Sequence, residues 1–131
     1  MWPSNIRWAE GQFDRLPAMA ADLVSRKVAV ICAGAGDVAI RTAMEATKTI
    51  PIVFTTASDP VRAGFVTSLS RPGGNVTGAT FMGVELVAKR AELLHETLPR
   101  AIRIALLVNP NNPGLMQDNI QLSKVAVQRL G

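Results

Sequence analysis

Tyrosine is absent from this chain, cysteine and histidine occur once each, and aromatic side chains make up only 5% of the residues. Each shortage removes a class of function. A lone Cys32 cannot form an internal disulfide and leaves the redox compartment open. One histidine, His95, and one thiol do not make up the ligand set of a zinc site. No serine stands in a G-x-S-x-G setting and no nucleophile has a histidine at motif spacing, so an enzyme working through a triad is not expected. No cofactor is expected either. No apolar run approaches the ~20 residues a helix needs to cross a bilayer, so direct membrane insertion is not expected. Met1-Trp2-Pro3-Ser4-Asn5 lacks the basic start and apolar middle of an export signal, and no signal peptide is read in the chain as it stands. The formal charge of +4 comes from 14 basic and 10 acidic residues. The basic ones are scattered, with no group denser than an adjacent pair such as Lys89-Arg90, and the two Trp and four Phe do not interleave with them as a base-stacking platform requires. Nucleic acid is therefore not an expected partner.

What is present is a folded core and a regular alternation. Hydrophobic residues reach 48% and charged ones 18% over 131 residues, enough for an ordinary domain core. "FDRLPAMAADLVSRK" sets Leu16, Met19, Ala20, Leu23 and Val24 on one helical face, with Asp14 as N-cap and Pro17 in the first turn. "VAVICA", residues 28–33, reads as a parallel strand covered on both faces, with Cys32 a buried small hydrophobe. A helix follows in "GDVAIRTAMEATKT", a strand in "IPIVF", and a short helix in "PVRAGFVTSL". The turn cluster Arg71-Pro72-Gly73-Gly74-Asn75 leads to a third strand, "VTGAT". "GVELVAKRAELLHETL" is an amphipathic helix with Val84, Val87, Ala91, Leu94 and Leu98 as its buried stripe. "IRIALLV" reads as a fourth strand and "PGLMQDNIQLSKVAVQRL" as a last helix, capped by Gly131. Strands alternating with helices pair in parallel through crossovers, which makes the fold class α/β, parallel sheets flanked by helices.

Ligands of such sheets sit beyond the carboxyl ends of the strands. Four segments fall there: "AGAGD", "TTASDP", "GAT" and "NPNNP", all rich in Gly, Ser, Thr, Asn and Asp. They supply the candidate ligand-binding residues Gly34, Ala35, Gly36, Thr56, Ser58, Asp59, Thr80 and Asn109. "GAGDVA" also fits the relaxed dinucleotide pattern G-x-G-x-x-A between a strand and a helix. A nucleotide-binding enzyme or regulator using Gly34-Ala35-Gly36 is thus the alternative function. Against it, Asp37 would face the pyrophosphate at the helix start, and Asp59 lies five residues beyond Phe54 instead of closing the strand. Each loop also has a purely structural reading: Asp37 as a cap of the helix after "AGAG", and Asp59-Pro60 as N-cap and N1 of another.

Taken in order, "RWAEGQFDRLPAMAADLV", "IPIVFTTASDPVRAGFV", "SLSRPGGNVTGATF", "ELVAKRAELLHETLP" and "RIALLVNPNNP" resemble the ABC transporter substrate-binding proteins that include binders of tryptophan and other aromatic amino acids. "RPGGNVTG" and "DPV" at their mutual spacing, then "AKR.ELL" and "VNPNNP", are the most specific pieces. The resemblance implies a type I periplasmic-binding-protein fold, two α/β lobes closing on a small solute, with no catalysis. It implies residues 1–80 as a partial first lobe ending at the hinge strand and 81–131 as the start of a second lobe. It further implies an amino acid as solute, an ABC permease as partner and a periplasmic or extracytoplasmic location. Asp59 would suit the solute's ammonium, and the Ser58 hydroxyl with the N–H groups around Ala35-Gly36 its carboxylate. Family members start with a further strand and helix and continue well past Gly131, so the chain resembles a central portion. Without the first strand, "VAVICA" is expected to keep a free edge through which copies could associate, and binding by the portion alone is expected to be weak or absent.

Overall fold

The computed structural model describes residues 5–34, 36–84, 86–108 and 113–130. A 3₁₀ turn, Phe13–Arg15, runs into α1, Leu16–Ser25. Then come β1 (Ile31–Ala33), α2 (Asp37–Ala46), β2 (Ile52–Thr56), β3 (Val76–Thr80), α3 (Val87–Thr97) and α4 (Pro113–Leu130). The three strands form one parallel sheet in the order β1-β2-β3, with Ile31 opposite Ile52, Ile52 opposite Val76 and Thr56 opposite Thr80. This is the α/β architecture read from the alternation, with β1 and β3 at the edges.

One face of the sheet forms the core. Ile31, Ala33, Ile52, Phe54 and Val76 pack with Ile40 and Ala43 of α2 and with Phe65 and Val66 of the following loop. Ile40 and Ile52 are fully enclosed, and burying such a side chain stabilises by about 1.5–3 kcal/mol. The Phe54 and Phe65 rings meet at a tilt, centroids 5.8 Å apart, a geometry aromatic quadrupoles favour. β3 passes so close to β2 that a Cβ on Gly78 would stand 2.3 Å from the Phe54 carbonyl oxygen and 2.5 Å from its ring. Only glycine fits there.

The turn cluster before β3 is held by its own polar groups. Thr67 Oγ1 donates to the Arg71 and Pro72 carbonyls, the Arg71 N–H donates to Ser68 Oγ, and Asn75 Nδ2 donates to the Ile50 carbonyl at 2.7 Å. These bonds explain why "SLSRPGGN" is a connected piece and not a generic loop: it returns the chain to the start of β2 so that β3 can pair.

Several expectations are corrected. "VAVICA" is a strand only from Ile31, and it is covered on one face: Cys32 is exposed, as are Val53 and Thr55 beside it. The core helix α2 lies on one side, and among the described residues nothing covers the other. Asp14 belongs to the 3₁₀ turn and does not cap α1; Arg15 is the N-cap, with no side-chain bond. Asp37 is the first residue of α2 and Gly36, at φ +91°, its N-cap. The helix expected in "PVRAGFVTSL" is a single turn. Ala63 N–H reaches the Asp59 carbonyl at 2.9 Å, but Gly64 turns to φ +76° and leaves the helical region. The helix expected from Gly83 starts only at Val87; Val84, in the turn before it, and Val87 are buried as expected, whereas Leu94 and Leu98, its C-cap, are 38% and 53% exposed.

The largest correction is the fourth strand. Residues 102–108 form no strand; Ile102 is 93% and Leu107 100% exposed. A strand is defined by ladder partners, and among the described residues this segment has none. α3 packs on α4, and Ile104, Leu106, Leu94, Ile120 and Val127 line an open apolar groove of about 640 Å³ between them. Ala35, Asn109, Asn111, Asn112 and Gly131 lie outside the described residues, and with them the expectations placed there.

Candidate functional site

The carboxyl ends of the strands are tied together by a network of side-chain oxygens. Thr56, the last residue of β2, donates its hydroxyl to Asp37 Oδ1 at 2.7 Å, and Ser58 donates to Asp37 Oδ2 at 2.7 Å. Thr56 Oγ1 in turn accepts the Ser58 N–H at 3.0 Å, and Thr80 Oγ1, ending β3, donates to the Ser58 carbonyl at 3.0 Å. Thr56 and Ser58 are 2% and 5% exposed, so their hydroxyls require partners, and the Asp37 carboxylate supplies both. Charge-assisted bonds of this kind are the stronger class. The row of oxygens after β2 thus has a structural duty: it clamps the β2 loop to the start of α2.

Asp59 has a second duty of the same kind. Its Oδ1 accepts the N–H groups of Val61 and Arg62 at 2.9 and 3.2 Å, which caps the turn that Pro60 opens. Beyond the clamp the chain crosses toward α3. Phe81 N–H donates to the Thr56 carbonyl at 3.1 Å, and Met82 N–H to Thr80 Oγ1 at 3.1 Å. Val84, 1% exposed, anchors that crossing.

Directly in front of these loops lies a polar cleft of about 350 Å³, walled by Asp37 and Arg41 of α2, Ser58, Asp59 and Arg62 of the β2 loop, and Gln117 and Asp118 of α4. Of the candidate residues, Ser58 and Asp59 line it. Thr56 and Thr80 stand behind it as supports, Gly34 and Gly36 flank the start of α2, and Ala35 and Asn109 are outside the described residues. Arg41, Arg62, Gln117 and Asp118 were not singled out from the sequence. Arg62 Nη2 bonds Asp118 Oδ2 at 2.7 Å across 56 residues, a pairing with no local signal. Among the described residues no cluster of three His, Cys, Asp or Glu side chains is placed to hold a metal ion.

The profile of the family described as ABC transporter substrate binding protein matches residues 4–129. The chain belongs to this family. It is similar to a tyrosine-binding protein of Clostridioides difficile (strain R20291), 36% identical over 102 residues that cover 77% of this chain and 28% of that protein. Among solved structures it resembles a conserved domain protein from Vibrio cholerae, with TM-score 0.79, 30% identity, and 94% of this chain and 40% of that one covered. It also shares the fold of an ABC domain from Streptococcus pneumonia in complex with L-Trp, with TM-score 0.70, 22% identity, and 90% and 40% covered. The chain therefore spans less than half the length of these relatives. No helix among the described residues is long and apolar enough to cross a membrane.

Proposed function

We propose that this chain carries the solute-binding edge of an ABC uptake system's substrate-binding protein, and that the solute is an amino acid held in the cleft between the sheet's carboxyl ends and α4. The observation that supports this reading most is convergence. Segments separated by some 60 residues in sequence, Ser58–Asp59 of the β2 loop and Gln117–Asp118 of α4, face one another across a polar cleft, where parallel sheets bind ligands. Both charge signs line it, which suits a zwitterion. The printed names of the relatives, tyrosine-binding and L-Trp-bound, point to an aromatic amino acid.

In this reading residues 1–80 belong to a first lobe and 81–131 open a second, with the crossing at 81–84 as hinge. Ser58 and Asp59, with Gly34 and Gly36 beside them, form one wall of the site, and Gln117 and Asp118 of α4 the other. Thr56 and Thr80 hold that wall in shape. Closure on the solute is driven by its higher affinity for the closed form, and the closed form is what an extracytoplasmic family member presents to its permease. No catalytic step is involved. The outer edge of β1 offers a route to association between copies.

A nucleotide is the poorer fit. Asp37 places a carboxylate in the first turn of α2, where pyrophosphate would otherwise meet the helix dipole, and it is fixed there by Thr56 and Ser58. Thermal unfolding of the complete two-lobe protein of this reading with millimolar L-tryptophan, L-phenylalanine, ATP or NAD tests the choice, since a ligand that binds only the folded protein raises its midpoint. Stabilisation by amino acids alone is expected. Stabilisation by nucleotides alone would overturn the assignment.

A further inference from the structure

The cleft's charged groups are not equally committed. Arg41 is pinned: its Nη2 donates to the Ala63 carbonyl at 3.1 Å, and its guanidinium lies 5.3 Å from the Phe65 ring centroid. Asp37 receives two hydroxyls and Asp59 two backbone N–H groups. The Ser58 proton is given to Asp37, so that hydroxyl is not a ready donor for an incoming carboxylate. What remains is Arg62 with Asp118. They pair at 2.7 Å, yet their side chains are 59% and 40% exposed. An ion pair so open to water is held weakly, and one carboxylate at the guanidinium can give way to another. The pair also shows that a carboxylate oxygen is accommodated at Arg62 inside the cleft wall.

We infer that Arg62 is the anchor for the solute's carboxylate, and that Asp118 occupies this position until the solute displaces it. The inference rests on the amino-acid reading of the cleft and deepens it. It assigns the carboxylate to an exposed cation on the β2 loop, and it gives Asp118 the role of an internal competitor. Guanidinium groups suit this exchange because their fork of donors meets any carboxylate in the same planar geometry. Asp118 lies on the second turn of α4 with its side chain 40% exposed, so its release leaves no buried charge.

The test is titration of the complete two-lobe protein of this reading, followed by ¹H–¹⁵N NMR, with three matched probes: L-tryptophan, indole-3-propionate (carboxylate only) and tryptamine (ammonium only). Asp118→Asn removes the competitor and is expected to tighten L-tryptophan and indole-3-propionate by about two- to fivefold, the value of an exposed pair. Arg62→Gln is expected to weaken both by roughly tenfold, the loss of a charged hydrogen bond. Tryptamine should be indifferent to both substitutions. Weaker L-tryptophan binding by Asp118→Asn, or equal loss of all three probes by Arg62→Gln, would overturn the exchange. L-tryptophan binding that ignores both substitutions overturns the exchange and leaves the amino-acid reading standing. Arg62-dependent binding of indole-3-propionate with no L-tryptophan binding supports the carboxylate anchor and overturns the amino-acid reading. Binding of none of the three overturns both.

Discussion

"IPIVF" and "IRIALLV" are nearly interchangeable as sequence, yet they end in opposite states. In β2, Ile52 and Phe54 are 0% and 2% exposed; in the second segment Ile102 and Leu107 are 93% and 100% exposed. The difference is partners. β2 has a parallel neighbour on each side and a helix over one face, whereas residues 102–108 lie beside α3 and α4 with no ladder at all among the described residues. Apolar composition makes a segment capable of being a strand. Pairing makes it one.

The contrast can be broken from the tightly packed side first. Gly78→Val places atoms where the Phe54 carbonyl and ring already stand, and should cost roughly 3 kcal/mol or more, at the upper end of overpacking effects. Urea unfolding followed by circular dichroism should show the cooperative transition lost or moved far toward low denaturant. Next, Ile52→Ala should cost about 2–5 kcal/mol as a cavity-forming change, while Leu107→Ala should stay within about 0.5 kcal/mol because the side chain touches water on all sides. Equal costs would mean that residues 102–108 are packed like β2. Asp37→Ala comes third. It strips the acceptor from two buried hydroxyls, and should destabilise by about 1–3 kcal/mol through the loops at the strand ends. Hydrogen exchange at Ser58 should rise more than at Ile40.

The smallest effect lies on the surface of α1. Arg7, then Arg26, hydrogen-bond the Asp22 carboxylate and hold its pKa below the ordinary value. A carboxyl whose folded pKa is depressed contributes stability above its unfolded pKa, near 4, and loses it as pH falls through the lower folded value. Asp22→Asn should therefore be slightly less stable than the parent at pH 7, and the gap should close in acid below pH ~4. A gap that widens in acid would reverse the sign of the account.

Much of the fold was legible from pattern alone. Short apolar runs and period-3.6 stripes located three strands and the major helices, and the Gly-, Ser- and Thr-rich segments after the strands pointed to the edge where the candidate cleft lies. What escaped depends on registers that no local pattern encodes. Asp37 reads as a cap because it follows Gly36. Its actual role, receiving Thr56 and Ser58, requires β1 and β2 to be in register so that residues about 20 apart in sequence meet. Arg62 and Asp118 look like ordinary surface charges until the turn after β2 and the start of α4 face one another. The fourth strand was misplaced for the converse reason: its apolar run was legible, and the absence of its partner was not.

The central claim is that the polar cleft at the strand ends, and not the larger apolar groove beside residues 104–108, receives the solute. Chemical-shift mapping of L-tryptophan on the ¹⁵N-labelled two-lobe protein of this reading tests it directly. Shifts concentrated at Asp37, Ser58 to Arg62 and Gln117–Asp118 are predicted. Shifts confined to Ala91, Leu94, Ile104, Leu106 and Val127, with the strand-end loops silent, would contradict it.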